Sequence, residues 1–221
     1  MRLVIKTFLL VFLLSQFKVF SQKRYNPTSV EVSIGTPVPL FNAIDSGSRA
    51  AFVGLNSFNL SVRNMVNETF GYRGTLNISD YMNSALSNPL PTADQYPNSF
   101  SANRISLEGV MQLTNLFPVN YRLKEHIGLL ITTGLGASFA NSNNVLYSDT
   151  FYSLMAGGTL QVKLSKRWSA FGIVNGFAHF DQNINYAGAI NEEGFWSIGT
   201  EILGGLQYNI GSSRKRHADW Y

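Results

Sequence analysis

Cysteine is absent from all 221 residues. That excludes a disulfide framework, a thiol nucleophile and any Cys-ligated metal, and without a lipobox cysteine a lipid-anchored lipoprotein is excluded too. Histidine is scarce, with three in the chain, and charged residues make up only 14%, a composition unlike that of an ordinary soluble enzyme. "GLGASF" and "GTLQVK" complete neither a phosphate loop nor a dinucleotide fingerprint, and no His/Asp/Glu cluster has ligand spacing, so no cofactor and no metal are expected. Beyond the first twenty or so positions there is no long apolar run.

That first run reads as an address. Arg2 and Lys6 give a positive start, "TFLLVFLLSQF" gives an apolar stretch too short to span a bilayer as a helix, and Val19 and Ser21 stand where small residues precede a cleavage site. Cleavage is expected after Ser21, leaving Gln22 first. The segment carries three of the 17 basic residues and no acid, so the mature chain holds 14 basic against 13 acidic side chains. The basic pI then belongs mostly to the signal, and no nucleic-acid partner is expected.

What the rest contains is alternation. Trp196, Ile198, Thr200, Ile202, Leu206, Tyr208 and Ile210 take one parity, while Ser197, Gly199, Glu201, Gly205, Gln207 and Asn209 take the other, which is the period of a strand with one greasy and one polar face. The dyad recurs in "HIGLLITTGLGASF", "YSLMAGGTLQVKL" and, more raggedly, in four earlier segments. Only "RWSAFGIVNGFAHF" leaves the parity open, with Phe171, Ile173 and Phe177 competing against Trp168, Val174 and Phe180. About eight strands result, the smallest number at which outer-membrane barrels close.

Connection lengths alternate as such a barrel requires, short on one side and long on the other. "NMVNE", "FPVNYRLKE" and "SKR" are the short or intermediate ones; "FNAIDSGSRAA", "NSALSNPLPTADQYPNSF", "NSNNVLYSDT" and "QNINYAGAINEEGF" are the long ones. An even strand number puts both termini on the short-turn side, expected to be periplasmic, with the long loops extracellular. A soluble sandwich or soluble barrel also alternates, but its wet face carries charge, whereas here the polar parity is rich in Gly, Ser and Thr and suits a narrow lumen. Tyr72, Tyr81, Phe139, Tyr152, Trp168, Trp196 and Tyr208 fall near strand ends, as interfacial girdles do. The fold class expected is therefore all-β: one antiparallel, transmembrane, up-and-down β-barrel over residues 22–212, preceded by a signal at 1–21 and followed by a tail at 213–221.

The inward parity holds a few charges: Glu31, Glu108 and Glu201, with Arg63, Arg73, Arg104 and Lys163. In so narrow a lumen they are expected to form a network of ion pairs and hydrogen bonds, acting either as a gate or as a packed polar plug. Catalysis, as in lipid-modifying outer-membrane acyltransferases or deacylases, is the weaker reading. His126 opens a strand beside the "RLKE" turn, His217 lies in the tail, and His179 stands near the outer end of its strand with Asp181 as a possible orienter, but no serine is tied to it by spacing. The chain is expected not to be an enzyme.

Several segments in order resemble the N-terminal barrel domain of OmpA-type outer-membrane proteins of Gram-negative bacteria, in the branch ending in a "KHADW"-like tail. They are "EVSIGTPV", "VRNMVNETFGYRGTLNISDY", "YSLMAGGTLQVKLSKRWSAFG" and "GLQYNIGSSRKRHADWY". The resemblance implies a porin-like, eight-stranded barrel, and Gly205, Tyr208 and Ile210 look like the last-strand signal read by the barrel-assembly machinery, with Leu203 departing from it. Longer relatives continue into a peptidoglycan-binding domain; here the sequence ends at Tyr221, so that anchoring is not carried over. Arg214, Lys215 and Arg216 are expected at anionic headgroups, with Trp220 and Tyr221 as interfacial anchors, unless the tail is disordered.

Together these readings describe a monomer with a structural envelope role and at most a narrow pore. Its partners would be outer-membrane lipids and the assembly machinery, with an outer-membrane complex as a further option. The alternative is a surface-binding module acting through the loops around Pro89 to Pro97 and Asn185 to Gly194.

Overall fold

An open sheet edge exposes unpaired N–H and C=O groups, and in an apolar surrounding only closure satisfies them all. The computed structural model describes residues 25–41, 55–82, 99–117, 120–142, 145–184, 190–212 and 214–220, and it shows that closure. The strands are β1 (Tyr25–Asn26), β2 (Thr28–Phe41), β3 (Ser57–Met65), β4 (Phe70–Met82), β5 (Ser99–Gln112), β6 (Ile127–Ser142), β7 (Val145–Lys163), β8 (Trp168–Ile184), β9 (Ile190–Ile210) and β10 (Arg216–His217). Strands β2 to β9 pair in sequence order as a closed antiparallel barrel of eight, sealed where β2 meets β9 with Val30 opposite Tyr208 and Val32 opposite Leu206.

The two faces of each strand are inverted relative to a soluble protein. Outward positions are apolar and exposed, among them Ile105, Leu107, Leu135, Leu154 and Ile202, while Ser33, Asn59, Thr75, Ser106 and Ser153 are buried inside. A surface of this kind is stable only against lipid. On β8 the open parity resolves: Trp168, Val174 and Phe180 face out, and Phe171, Ile173 and Phe177 are buried. Pairing decides it, because Asn175 lies opposite Glu201 and Ser169 opposite Gln207, both inward residues of β9.

The first barrel strand begins, and the last one ends, at the short-turn end. Thr28 is opposite Asn64 and Ile210, next to the tight turns that follow Met65 and Lys163; the third connection there carries two single-turn helices, Leu113–Leu116 and Tyr121–Lys124. Exposed Tyr72 and Trp168 line this rim, and the Trp168 and Tyr208 rings pack with centroids 4.9 Å apart. Phe58, Phe139, Tyr152, Phe180 and Trp196 are among the exposed aromatics toward the other rim; the Tyr81 side chain lies outside the described residues.

Two of the long loops expected from the sequence are instead continuing strands. β6 runs to Ser142 and β7 starts at Val145, with Asn141 opposite Ser148, and β8 and β9 likewise extend to Ile184 and from Ile190. Beyond the apolar belt a strand no longer needs greasy outward residues, so the alternation stops while the hydrogen-bond ladder goes on. The other two long loops, including Pro89 to Pro97, lie outside the described residues.

Candidate functional site: the lumen network and the tail that closes it

Because the barrel is narrow, inward side chains from every strand converge, and charges there must find partners. Arg63 on β3 lies directly opposite Arg73 on β4, an arrangement of like charges that would destabilise the pair if left alone. Glu31 on β2 relieves it by bridging both: its Oε1 is 2.8 Å from Arg63 Nε and its Oε2 3.4 Å from Arg73 Nη1. Glu108, opposite Arg73 on β5, accepts from Arg73 Nε at 3.1 Å and Nη2 at 2.5 Å, and from the hydroxyls of Thr75 and Ser106. Gly134 makes the room, since a Cβ there would collide with the Leu107 carbonyl oxygen and lie 2.7 Å from Glu108.

A second cluster forms toward the long-loop end. Arg104 Nη2 is 3.1 Å from Glu201 Oε2, Asn77 Nδ2 donates to Glu201 Oε1 at 2.8 Å, and the Ser57 hydroxyl donates to the same oxygen. The Arg104 guanidinium also stacks on Phe177, 4.8 Å from its centroid. Six of the seven predicted lumen charges therefore meet in two groups.

Lys163 does not join them. It sits at the short-turn mouth with its ammonium 5.8 Å from the Trp220 ring, because its strand position is the last before the turn, below the level of the glutamates.

The tail departs most from expectation. Trp220 is not an interfacial anchor: it is 1% exposed, with Ala218, His217 and Asp219 buried beside it. The chain turns back at Gly211, where φ is +138° and a Cβ would collide with the Asn26 side-chain oxygen. β10 then pairs in parallel with β1, Tyr25 with Arg216 and Asn26 with His217, while Asn26 Nδ2 donates to the carbonyls of Ser212 at 2.8 Å and Lys215 at 3.1 Å. Arg216 latches the tail to the β3–β4 turn through Glu68 and donates to the Trp220 carbonyl. Burial defeats anchoring for a physical reason: Asp219 has a cation to reach inside.

That cation is Arg63. Asp219 Oδ2 is 2.7 Å from Arg63 Nη2, 3.1 Å from His217 Nδ1 and accepts from Gln207 Nε2 at 3.0 Å. Burial pushes the Asp219 carboxyl up, but Arg63 and His217, with bonds from His217 and Gln207, outweigh it and hold the group well below the usual carboxylate range. The tail thus inserts a third acid, after Glu31 and Glu108, into the group built on Arg63 and Arg73. Tyr221 lies outside the described residues.

His179 is buried on the inner face of β8, and Ser153, opposite it on β7, places its Oγ 2.7 Å from His179 Nδ1. The serine missed by sequence spacing is supplied by cross-strand register. Asp181 does not orient this histidine: a bulge with φ +61° at Asp181 turns its side chain to the exposed face. Phe151 and Phe177 pack on the imidazole at 4.9 and 4.8 Å. Asp149, also unanticipated, holds the bulge by accepting from the backbone N–H of Asn183 at 2.7 Å and of Ile184 at 2.9 Å. His126 is exposed beside the β5–β6 connection. Of the three residues resembling an assembly signal, Gly205 faces inward against the Val32 carbonyl, while Tyr208, which accepts from Arg167 Nη1 at 3.0 Å, and Ile210 share the outward parity. Among the described residues no His/Cys/Asp/Glu group could hold a metal ion.

No protein-family model matches the chain, and no curated protein does. Among solved structures it is similar to the attachment invasion locus protein Ail of Yersinia pestis, at 16% identity over 84% of this chain and 99% of that one, with a TM-score of 0.48. It is also similar to Neisserial surface protein A, at 10% identity over 83% and 97% with a TM-score of 0.49. A third is a major outer-membrane protein of Thermus thermophilus, at 11% over 83% and 98% with a TM-score of 0.47.

Proposed function

We propose that this protein is an OmpA-type barrel of the bacterial outer membrane whose role is structural: a sealed, non-conducting, non-catalytic element of the envelope with its short-turn end in the periplasm. The observation that carries this is the occupied lumen. Glu31, Arg63, Arg73 and Glu108 form one continuous chain of ion pairs, Asp219 extends it, and Trp220 packs beneath. Ions crossing such a barrel would have to break several buried pairs, each of which costs about 3–5 kcal/mol when one partner is lost. The Ser153–His179 pair lies inside the same packed interior, between two aromatic rings, and is read as polar packing.

Single-channel recording in planar bilayers tests this. Heat-modifiable, well-folded protein gives no conductance steps; reproducible steps from the intact chain would overturn the sealed reading.

A second reading has its own support. β7, β8 and β9 have 19, 17 and 21 residues, against the roughly 9–11 needed to cross a bilayer, so hairpins project beyond the apolar belt at the long-loop end. Such a raised wall suits surface binding. Shortening β8–β9 by deleting residues 183–194 would abolish binding to a cell surface while leaving the barrel folded, if this reading holds.

A further inference from the structure

At the short-turn mouth a pocket of about 230 Å³ opens between the β7–β8 turn and the tail. Five cations line it, Lys163, Lys166, Arg214, Lys215 and Arg216, and no carboxylate does. The acids nearest the tail are already engaged: Glu68 with Arg216, and Asp219 with Arg63 and His217. Lys163, Lys166 and Arg214 make no ion pair among the described residues.

Like charges gathered this closely repel one another, and nothing in the fold requires it of Lys166 and Arg214, which are exposed. An anion entering the pocket relieves their repulsion. The wall is mixed, with the Trp220 ring behind the cations. The same turn carries Leu164, 60% exposed, and Trp168, whose ring belongs to the lipid-facing girdle. A ligand seated here therefore has charge on one side and the membrane's hydrocarbon boundary on the other.

We infer that this pocket binds the phosphate of an anionic phospholipid headgroup from the leaflet surrounding the short-turn rim, with the lipid's acyl chains lying against Leu164 and Trp168. The inference rests on the reading that the barrel is membrane-embedded. Binding here also staples the tail, since three of the five cations belong to residues 214–216 and the other two to β7 and its turn.

The test uses the refolded full-length mature chain in phosphatidylcholine bilayers doped with spin-labelled phosphatidylglycerol or spin-labelled phosphatidylcholine. Heat-modifiable mobility is checked first; failure to insert would count against the membrane reading itself, whereas insertion without selectivity counts against this site alone. The intact protein is expected to prefer the anionic label several-fold, as each basic residue near the surface contributes roughly a factor of five. Lys163→Gln/Lys166→Gln/Arg214→Gln should bring the preference close to one. Lys166→Gln/Arg214→Gln, which changes only exposed side chains, guards against misfolding and should lower it severalfold. Arg122→Gln/Lys124→Gln, on the same rim but outside the pocket, should leave it intact. Equal preference in the pocket variants and the intact protein, or equal loss in the control, overturns the proposal. So does displacement of the label by millimolar inorganic phosphate, which would make this a free-anion site.

Discussion

The Asp219 carboxylate lies 2.7 Å from the Arg63 guanidinium, although 156 residues separate them. The last turn of the chain thereby completes an ion-pair network begun on β2, and the tail becomes part of the barrel's interior. Asp219→Asn removes the charge and leaves Arg63 with one acid instead of two. Loss of one member of a buried pair typically costs about 3–5 kcal/mol, more than the contacts of so short a tail can offset. The tail should undock while the barrel survives, and trypsin should then cut at Arg214, Lys215 or Arg216 in folded protein. Continued resistance would show that Trp220 and β10 hold the tail without Asp219.

The same pair sets a pH dependence. Asp219 is held below the usual carboxylate range, with burial opposing and Arg63 and His217 prevailing. The undocked tail therefore binds a proton more readily, and the group's contribution is complete above its ordinary value of about 3.9 and is lost as pH falls below it. Groups facing Asp219 are Arg63 from β3, Gln207 from β9 and His217 from the tail itself, with Glu31 reached through Arg63. In a Trp168→Phe/Trp196→Phe background, Trp220 emission should stay constant from about pH 7 to about pH 5 and shift to the red only in stronger acid. A midpoint near neutrality would mean that Asp219 is not the controlling group.

Glu31 separates two cations that face each other across β3 and β4. Glu31→Gln should lower stability by about 3–5 kcal/mol, and adding Arg73→Gln should then cost less than Arg73→Gln does in the intact chain, because it removes the repulsion from Arg63 even as it leaves Glu108 without its cation. Urea unfolding in detergent micelles reads both. Additive losses would argue that the two side chains act independently.

Leu135 stands at the middle of β6 on the outward face, and Phe139 lies nearer the long-loop rim on the same face. Leu135→Arg should cost about 2–4 kcal/mol and Phe139→Arg clearly less, because the penalty follows depth in the bilayer. Unfolding from phospholipid vesicles measures the difference. Equal costs would remove the apolar belt as a lipid-facing surface.

Gly211 combines a left-handed backbone with close approach to Asn26. Gly211→Ala should loosen the β1–β10 pairing and expose the tail to trypsin, with little change in urea resistance of the barrel, whose last strand has already ended at Ile210.

The alternation of residues along β2 to β9 is a local property, so it was legible in the sequence together with the inward parity of Glu31, Arg63, Arg73, Arg104, Glu108 and Glu201. A period of two needs no partner to be read. Where amphipathic contrast was weak, on β8 with its buried Phe171, Ile173 and Phe177, only pairing with β9 chose the face. Where the chain left the apolar belt, beyond Asn141 and Gln182, the ladder continued without the pattern that announces it.

Which charges meet depends on the register and stagger of a closed sheet, and no local window contains either. Arg73 and Glu31 are 42 residues apart, Arg104 and Glu201 97, Arg63 and Asp219 156. The basic run at 214–216 raised the expectation of a contact with anionic headgroups; that Trp220 and Asp219 turn inward was decided by the tertiary structure. The buried Nη2 of Arg63, which among the described residues faces only amide oxygens of Gln207 and Gln161 besides the tail, attracts a carboxylate more strongly than an interface attracts a tryptophan.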